Sequence, residues 1–287
     1  NESLALAMML VVVAILISHK EKLALEKDIL WSVCRAVVQL IIVGYVLKYI
    51  FGVNHSILTL LMVLFICFNA AWNAKKRSKY IDHTLLKADA QEGEIIRLCD
   101  EAKQHDFASV CVYSYWARTC AEQLKGTGIK VCCVAGFPSG AMSTAAKAFE
   151  AADAIRSGAD EIDMVMNIGE LKAGHADAVR RDIEAVVQAC AGHPVKVILE
   201  TCLLSREEIA RACMICADAG AAFVKTSTGF STGGASVEAV RLMKETLDGR
   251  CQVKASGGIR TAKDMDRMIE AGADRIGASA GAALLDE

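Results

Sequence analysis

Residues 195–227 read VKVILETCLLSREEIARACMICADAGAAFVKTS and contain one complete strand–helix–strand unit. Val195–Thr201 is a short apolar, β-branched run, as a buried strand requires. Ser205–Ala219 follows as an Ala-rich amphipathic stretch carrying Glu and Arg. Gly220, in AGAAFV, falls just past its end, where a glycine caps a helix and returns the chain to a strand. Phe223–Ser227 is that strand.

The same texture repeats on both sides. Further strands are expected at Lys79–Leu85, Ser109–Tyr113, Lys130–Ala135, Glu161–Asn167, Gln252–Ser256 and Arg275–Ala278, making eight in all. Helices are expected at Glu92–His105, Ser143–Ser157, Ala176–Ala191, Ser236–Leu247 and Thr261–Ala271. SGADEI and AGADRI repeat the glycine cap of AGAAFV. Strand–helix alternation predicts a parallel sheet, and eight units in about 208 residues fit a compact (β/α)8 barrel. An open doubly wound sheet is the rival, but it calls for a glycine-rich turn after the first strand. That strand ends HTLLKADA. The glycine-rich turns come late, in KASGGIR and GASAG, where a barrel places a phosphate site.

Composition points to a second, unlike part. The 287 residues are 54% hydrophobic and 23% charged, and their mean hydropathy is +0.33. A net charge of −2 excludes a strongly basic nucleic-acid binder. Two prolines and 6% aromatics argue against a disordered chain and against a base-stacking surface. The twelve cysteines sit inside apolar runs, as at Cys34, Cys67, Cys111 and Cys132–Cys133, and read as reduced core residues. Cys213 and Cys216 form a CxxC, but inside an expected helix and without a second pair, so they read as helix core.

Hydrophobic excess is concentrated before residue 80, in blocks Leu4–Ser18, Leu30–Phe51 and Ile57–Trp72. The chain therefore divides into a hydrophobic helical segment, 1–78, and a barrel, 79–287. The three blocks are expected to be transmembrane helices; a signal peptide for the first, or a buried helical hairpin, are the rival readings. Lys20, Lys22 and Lys27 follow the first block and Lys75, Lys76, Arg77 and Lys79 the third. The positive-inside rule then places residue 80 in the cytoplasm, tethered to the inner membrane. Arg35 and Gln39 lie one turn apart in the second block, as an intramembrane polar pair or with Arg35 reaching the interface.

Catalytic groups of a barrel stand at the C-terminal ends of its strands. Three ionisable residues occupy apolar strand positions there: Asp163 in EIDMVMN, Lys225 in AFVKTSTG and Lys254 in QVKASGG. Alternation turns Lys225 inward when Val224 packs outward. Two adjacent lysines are expected to lower each other's pKa, and a neutral amine attacks a carbonyl to form an imine. Asp163 would balance charge and move protons. The same residues also fit a structural Lys–Asp salt bridge plugging the barrel. His83 and Cys111 could line or border the site, and Glu200 could balance charge. No cluster has metal-ligand spacing, so a reaction without metal or cofactor is expected.

Two resemblances follow from longer stretches. SLALAMMLVVVAILISHKEKLALEKDILWS, RAVVQLIIVGYVLKYIF and LTLLMVLFICFNAAWNAKKRSKYI, within residues 1–81, resemble the permease subunit of the iron-export ABC transporter family. KYIDHTLLKADA, SVCVYSYW, EIDMVMNIGELKAG, VKVILETCLL, FVKTSTGFSTGGAS, VKASGGIRT and ADRIGASAG, within residues 79–287, closely resemble the deoxyribose-phosphate aldolase family. That second resemblance implies a class I aldolase acting on a phosphorylated sugar, 2-deoxy-D-ribose 5-phosphate. It implies Lys225 as the Schiff-base lysine, Lys254 as the second lysine and Asp163 as the acid/base group. Thr226 would lie beside the imine, with Gly257, Gly258 and Ser279 facing the phosphate and Cys111 bordering the pocket. A homodimer through the barrel is a further expectation. The alternative is a membrane-transport fragment carrying a passenger or inactive aldolase domain.

Overall fold

The computed structural model describes residues 77–285, with Leu64 and Phe65. The three apolar blocks, with Arg35 and Gln39, lie outside the described residues, Leu64 and Phe65 excepted. Among the described residues no helix is long and apolar enough to cross a membrane. The chain divides into two units, Asn1–Ala70 and Ala71–Glu287, and the second carries the fold described below.

Strands β1 (Ile81–Thr84), β2 (Ser109–Val112), β3 (Lys130–Ala135), β4 (Glu161–Val165), β5 (Val195–Ile198), β6 (Phe223–Lys225), β7 (Gln252–Ser256) and β8 (Arg275–Ala278) pair in parallel and in sequence order. β8 returns to pair with β1, which closes the barrel. The expected (β/α)8 architecture is therefore present. Helices α1 (Glu92–His105), α2 (Ala117–Gln123), α3 (Thr144–Arg156), α4 (Ile168–Lys172), α5 (Ala176–Ala189), α6 (Arg206–Asp218), α7 (Val237–Leu247) and α8 (Ala262–Glu270) connect the strands. After β8 a short 3-10 turn spans Ala282–Leu284. The capping glycines Gly158, Gly220 and Gly272 have φ of 107°, 82° and 109°, a region a side chain resists.

Strand alternation sorts the core into two clusters. Outward residues such as Ile81, Val110, Ile162, Val197, Val224 and Ile276 pack under the helices. Cys111, Cys132, Val134, Val165 and Ile198 belong to a separate cluster inside the barrel. Following the register while advancing one residue per strand leads from Asp82 through Cys132, Lys196 and Lys254 back to Asp82. That closure is the shear of a (β/α)8 barrel, whose interior is layered by alternate strands. Asp82, Cys132, Lys196 and Lys254 form one layer. Cys111, Asp163, Lys225 and Gly277 form the next toward the C-terminal ends, and Ser109, Glu161, Phe223 and Arg275 the one below.

Candidate active site

The three interior layers carry seven charged groups that an apolar core would not tolerate singly. Asp163, fully buried on β4, is their hub. Its Oδ2 accepts from Lys225 Nζ at 2.7 Å and from Lys254 Nζ at 2.7 Å. Its Oδ1 accepts from Lys196 Nζ at 3.0 Å and from the Cys132 thiol at 3.0 Å. Lys254 Nζ also lies 2.5 Å from Asp82 Oδ2, while Asp82 Oδ1 accepts from Arg275 Nε at 2.8 Å. Glu161 pairs with Lys196 at 2.6 Å and with Arg275 at 3.2 Å.

These contacts fix protonation. Burial alone would raise the Asp163 carboxyl, but the ammoniums of Lys196, Lys225 and Lys254 outweigh it and hold it well below the usual carboxylate range. Asp82 is treated likewise by Lys254, Arg275 and Lys196. Burial works against the Lys254 ammonium, yet Asp163 and Asp82 beside it push its pKa above the ordinary lysine range. The expectation that the lysine pair would lower both pKa values is therefore wrong for Lys254. Lys225 sits directly across from it in the strand register, but two carboxylates, first Asp163 and then Asp82, reach Lys254 and together outweigh burial and the nearby Lys196 charge.

Above the charged layers a cavity of about 370 Å³ opens at the C-terminal ends of the strands. Lys225 lines it, as do Gly257, Gly258 and Ser279. Gly257 and Gly258 have φ of 86° and 78°. Gly257 also runs against Gly234, where a Cβ on Gly234 would meet the Gly257 carbonyl oxygen at 2.2 Å. Lys87 and Arg260 add two exposed cations to the same wall. Of the residues singled out in the sequence, the structure brings Asp163, Lys225 and Lys254 together, with Lys225 at the cavity floor and the other two buried beneath it, and Gly257, Gly258 and Ser279 line the same cavity.

Other candidates fall elsewhere. Thr226 is buried; its hydroxyl donates to the Ser256 carbonyl and accepts from the Ser256 N–H, tying β6 to β7. Cys111 is buried in the barrel interior and does not reach the cavity wall. His83 faces the helices, with Nε2 2.7 Å from Glu101 Oε2 and its ring against Phe107. Glu200 binds Thr228, accepting from its backbone N–H at 3.3 Å and from its hydroxyl, and among the described residues it pairs with no lysine. Cys213 and Cys216 are buried on α6, and burial pushes the Cys213 thiol up to about 12.

Lys196, Asp82, Glu161 and Arg275 were missed by the sequence reading. Their signal was present: VKV, IDH, EID and RIG each set an ionisable residue at a period of two in an apolar strand. Among the described residues one set of metal-ligand types converges, Cys111, Cys132 and Asp163, with donor atoms within 4.8 Å of one another. Both Asp163 oxygens already accept from lysine amino groups, so a cation entering there would find the carboxylate occupied.

Fold and site together define a (β/α)8-barrel protein with buried lysines gathered on one carboxylate beneath a cavity. The chain belongs to the DeoC/LacD family of aldolases, whose family model matches residues 78–286. The deoxyribose-phosphate aldolase of Streptococcus sanguinis is 58% identical over 210 residues, covering 73% of this chain and 96% of the relative. Deoxyribose-phosphate aldolase 1 of Mesoplasma florum is 56% identical over the same length, covering 73% and 96%. The solved structure of the deoxyribose phosphate aldolase from Aeropyrum pernix, described as a unique tetramer, has TM-score 0.70 at 31% identity, covering 74% of this chain and 91% of that one. A second family, described only as "Uncharacterised protein family (UPF0014)", matches residues 1–89. The chain thus joins two families, in the order expected from its sequence.

Proposed function

We propose that the chain is a class I aldolase that cleaves 2-deoxy-D-ribose 5-phosphate to D-glyceraldehyde 3-phosphate and acetaldehyde. The observation that carries the reading is Lys225, at the cavity floor and bonded to Asp163. Lys225 Nζ attacks the open-chain aldehyde carbon, and loss of water leaves a protonated imine. Asp163, through a water and with Lys254, takes the proton from the hydroxyl on the third carbon. The bond between the second and third carbons then breaks, and its electron pair flows into the imine to give an enamine. Glyceraldehyde 3-phosphate leaves; protonation of the enamine carbon and hydrolysis release acetaldehyde and regenerate the amine. Lys254, held as an ammonium, keeps Asp163 ionised and offers a positive charge to the developing alkoxide. The turns at Gly257, Gly258 and Ser279 face the phosphate, with Lys87 and Arg260 supplying charge. Thr226 braces the strand that carries Lys225.

Borohydride added with substrate should fix a stable adduct on the peptide containing Lys225, and Lys225→Ala should abolish it. An adduct on Lys254 would reverse the assignment.

The same reading takes residues 1–78 as three membrane spans that leave the barrel, 79–287, on the cytoplasmic face. The apolar blocks and the lysines that follow them support it. Association of barrels as a homodimer belongs to this reading too, and sedimentation of the purified chain tests it.

A further inference from the structure

The ion-paired set inside the barrel holds three carboxylates, Asp82, Glu161 and Asp163, against four cations, Lys196, Lys225, Lys254 and Arg275. One positive charge is in excess, and a low-dielectric interior resists that imbalance. Lys225 is the one of the four that lines the cavity, so it is the one with a path by which a proton can leave. Arg275 has no such freedom, because a guanidinium stays charged in proteins. It stands two layers below Lys225, at the opposite end of the barrel from the cavity. Its Nε and NH2 hold Asp82 Oδ1, its NH2 reaches Glu161, and its guanidinium lies 6.0 Å from the centre of the Phe223 ring.

We propose that Arg275 is a positioning residue for the amine chemistry: the fixed charge whose presence in the barrel drives Lys225 to give up its proton. The proposal rests on the reading of Lys225 as the imine-forming lysine. Arg275 acts by two routes of the same sign. It adds positive potential to the enclosed layers, and it occupies Asp82, which otherwise would turn wholly to Lys254. Lys225 faces Asp163 on β4, Lys254 on β7 and the Cys111 thiol on β2, and Asp163 carries Lys196 on β5 and the Cys132 thiol on β3 on its other oxygen. Glu200 at the end of β5 is engaged by Thr228. Removing a positive charge from this set makes every remaining ammonium easier to hold, whichever neighbour transmits the effect.

The test is the pH dependence of borohydride trapping by acetaldehyde and of the cleavage rate, in the full chain. Arg275→Met should move the acid limb of both profiles to higher pH, by about one unit for a charge on the order of 10 Å away. Activity should be recovered at alkaline pH. Arg275→Lys, which keeps the charge, should restore most of the wild-type position. Glu161→Gln removes a carboxylate from the same set and should move the limb the other way, to lower pH. If Arg275→Met does not fold, Glu161→Gln decides alone. A wild-type acid limb in whichever of the two variants folds would overturn the proposal. Absence of trapping on Lys225 in the wild-type chain would instead defeat the reading on which it rests.

Discussion

Gly277 is the residue whose missing side chain makes room for Lys254. It shares a layer with Lys225, and a Cβ built there would lie 3.0 Å from Ser256 Cβ and 3.2 Å from Lys254 Cε. Ordinary carbon contacts are about 3.5–4.0 Å, so Gly277→Ala forces a shift of roughly half an ångström. Neither neighbour is free to give. Lys254 Nζ is pinned 2.7 Å from Asp163 and 2.5 Å from Asp82. Ser256 donates its hydroxyl to the Ser227 carbonyl at 2.6 Å and its N–H to Thr226. Gly277 is not among the glycines with positive φ, so the backbone itself accepts alanine and the effect is steric. Overpacking costs about 1–3 kcal/mol, partly offset by the roughly 0.5–1 kcal/mol that alanine gains over glycine inside a strand. Activity should suffer more than stability. A displacement of about 1 Å can cost on the order of 100-fold in rate, so half of that predicts a loss of about tenfold or more in kcat. Acetaldehyde release from 2-deoxy-D-ribose 5-phosphate gives kcat, and urea unfolding gives the stability change. Gly93→Ala on α1, where a Cβ meets nothing within 4 Å, is the control and should leave kcat unchanged. A Gly277→Ala protein with kcat within about twofold of wild type would refute the steric argument.

Acid should unfold the barrel through its buried carboxylates. Asp82 and Asp163 are depressed when folded, so their contribution is present above about pH 4, the unfolded value, and is lost as pH falls toward the folded values. The Tm should fall from pH 5 to pH 3, and a flat Tm over that interval would contradict the ion-pair geometry. Asp163→Asn leaves Lys196, Lys225 and Lys254 without their shared acceptor charge, and breaking a buried pair costs about 3–5 kcal/mol. Denaturant unfolding should show that loss, and a change under about 1 kcal/mol would mean the lysines find other partners. Chelation with EDTA should leave the cleavage rate unchanged, since every step runs through protein amines and carboxylates; a metal-dependent rate would sink the imine mechanism. Protease added to inverted membrane vesicles should cut the barrel and protease added to right-side-out vesicles should spare it, with the opposite pattern reversing the assigned orientation.

The sequence reads most clearly where local chemistry alone decides an element. Strands β3, β7 and β8 and helix α1 fall at the expected residues. β4, β5 and β6 end earlier than expected, because Met166, Leu199 and Thr226 remain buried after leaving the regular ladder, and apolar character does not mark where pairing stops. Helices α2 and α4 have seven and five residues, too few turns for a helical period to stand out. In the site, Lys225, Asp163 and Lys254 stood out because each is an ionisable residue at an apolar strand position. Asp82 did not, although IDH has the same pattern, because its partner is set by closure. β1 reaches β8, and through the layer Lys254, only when the barrel completes its circuit with the right shear. A pairwise view of Lys225 and Lys254 therefore gives two cations lowering each other. Asp163 opposes that effect, and closure adds Asp82, whose second oxygen is held by Arg275; the two carboxylates together turn Lys254 into a fixed ammonium. The protonation of this site is thus a property of the closed barrel, beyond the reach of any one strand read alone.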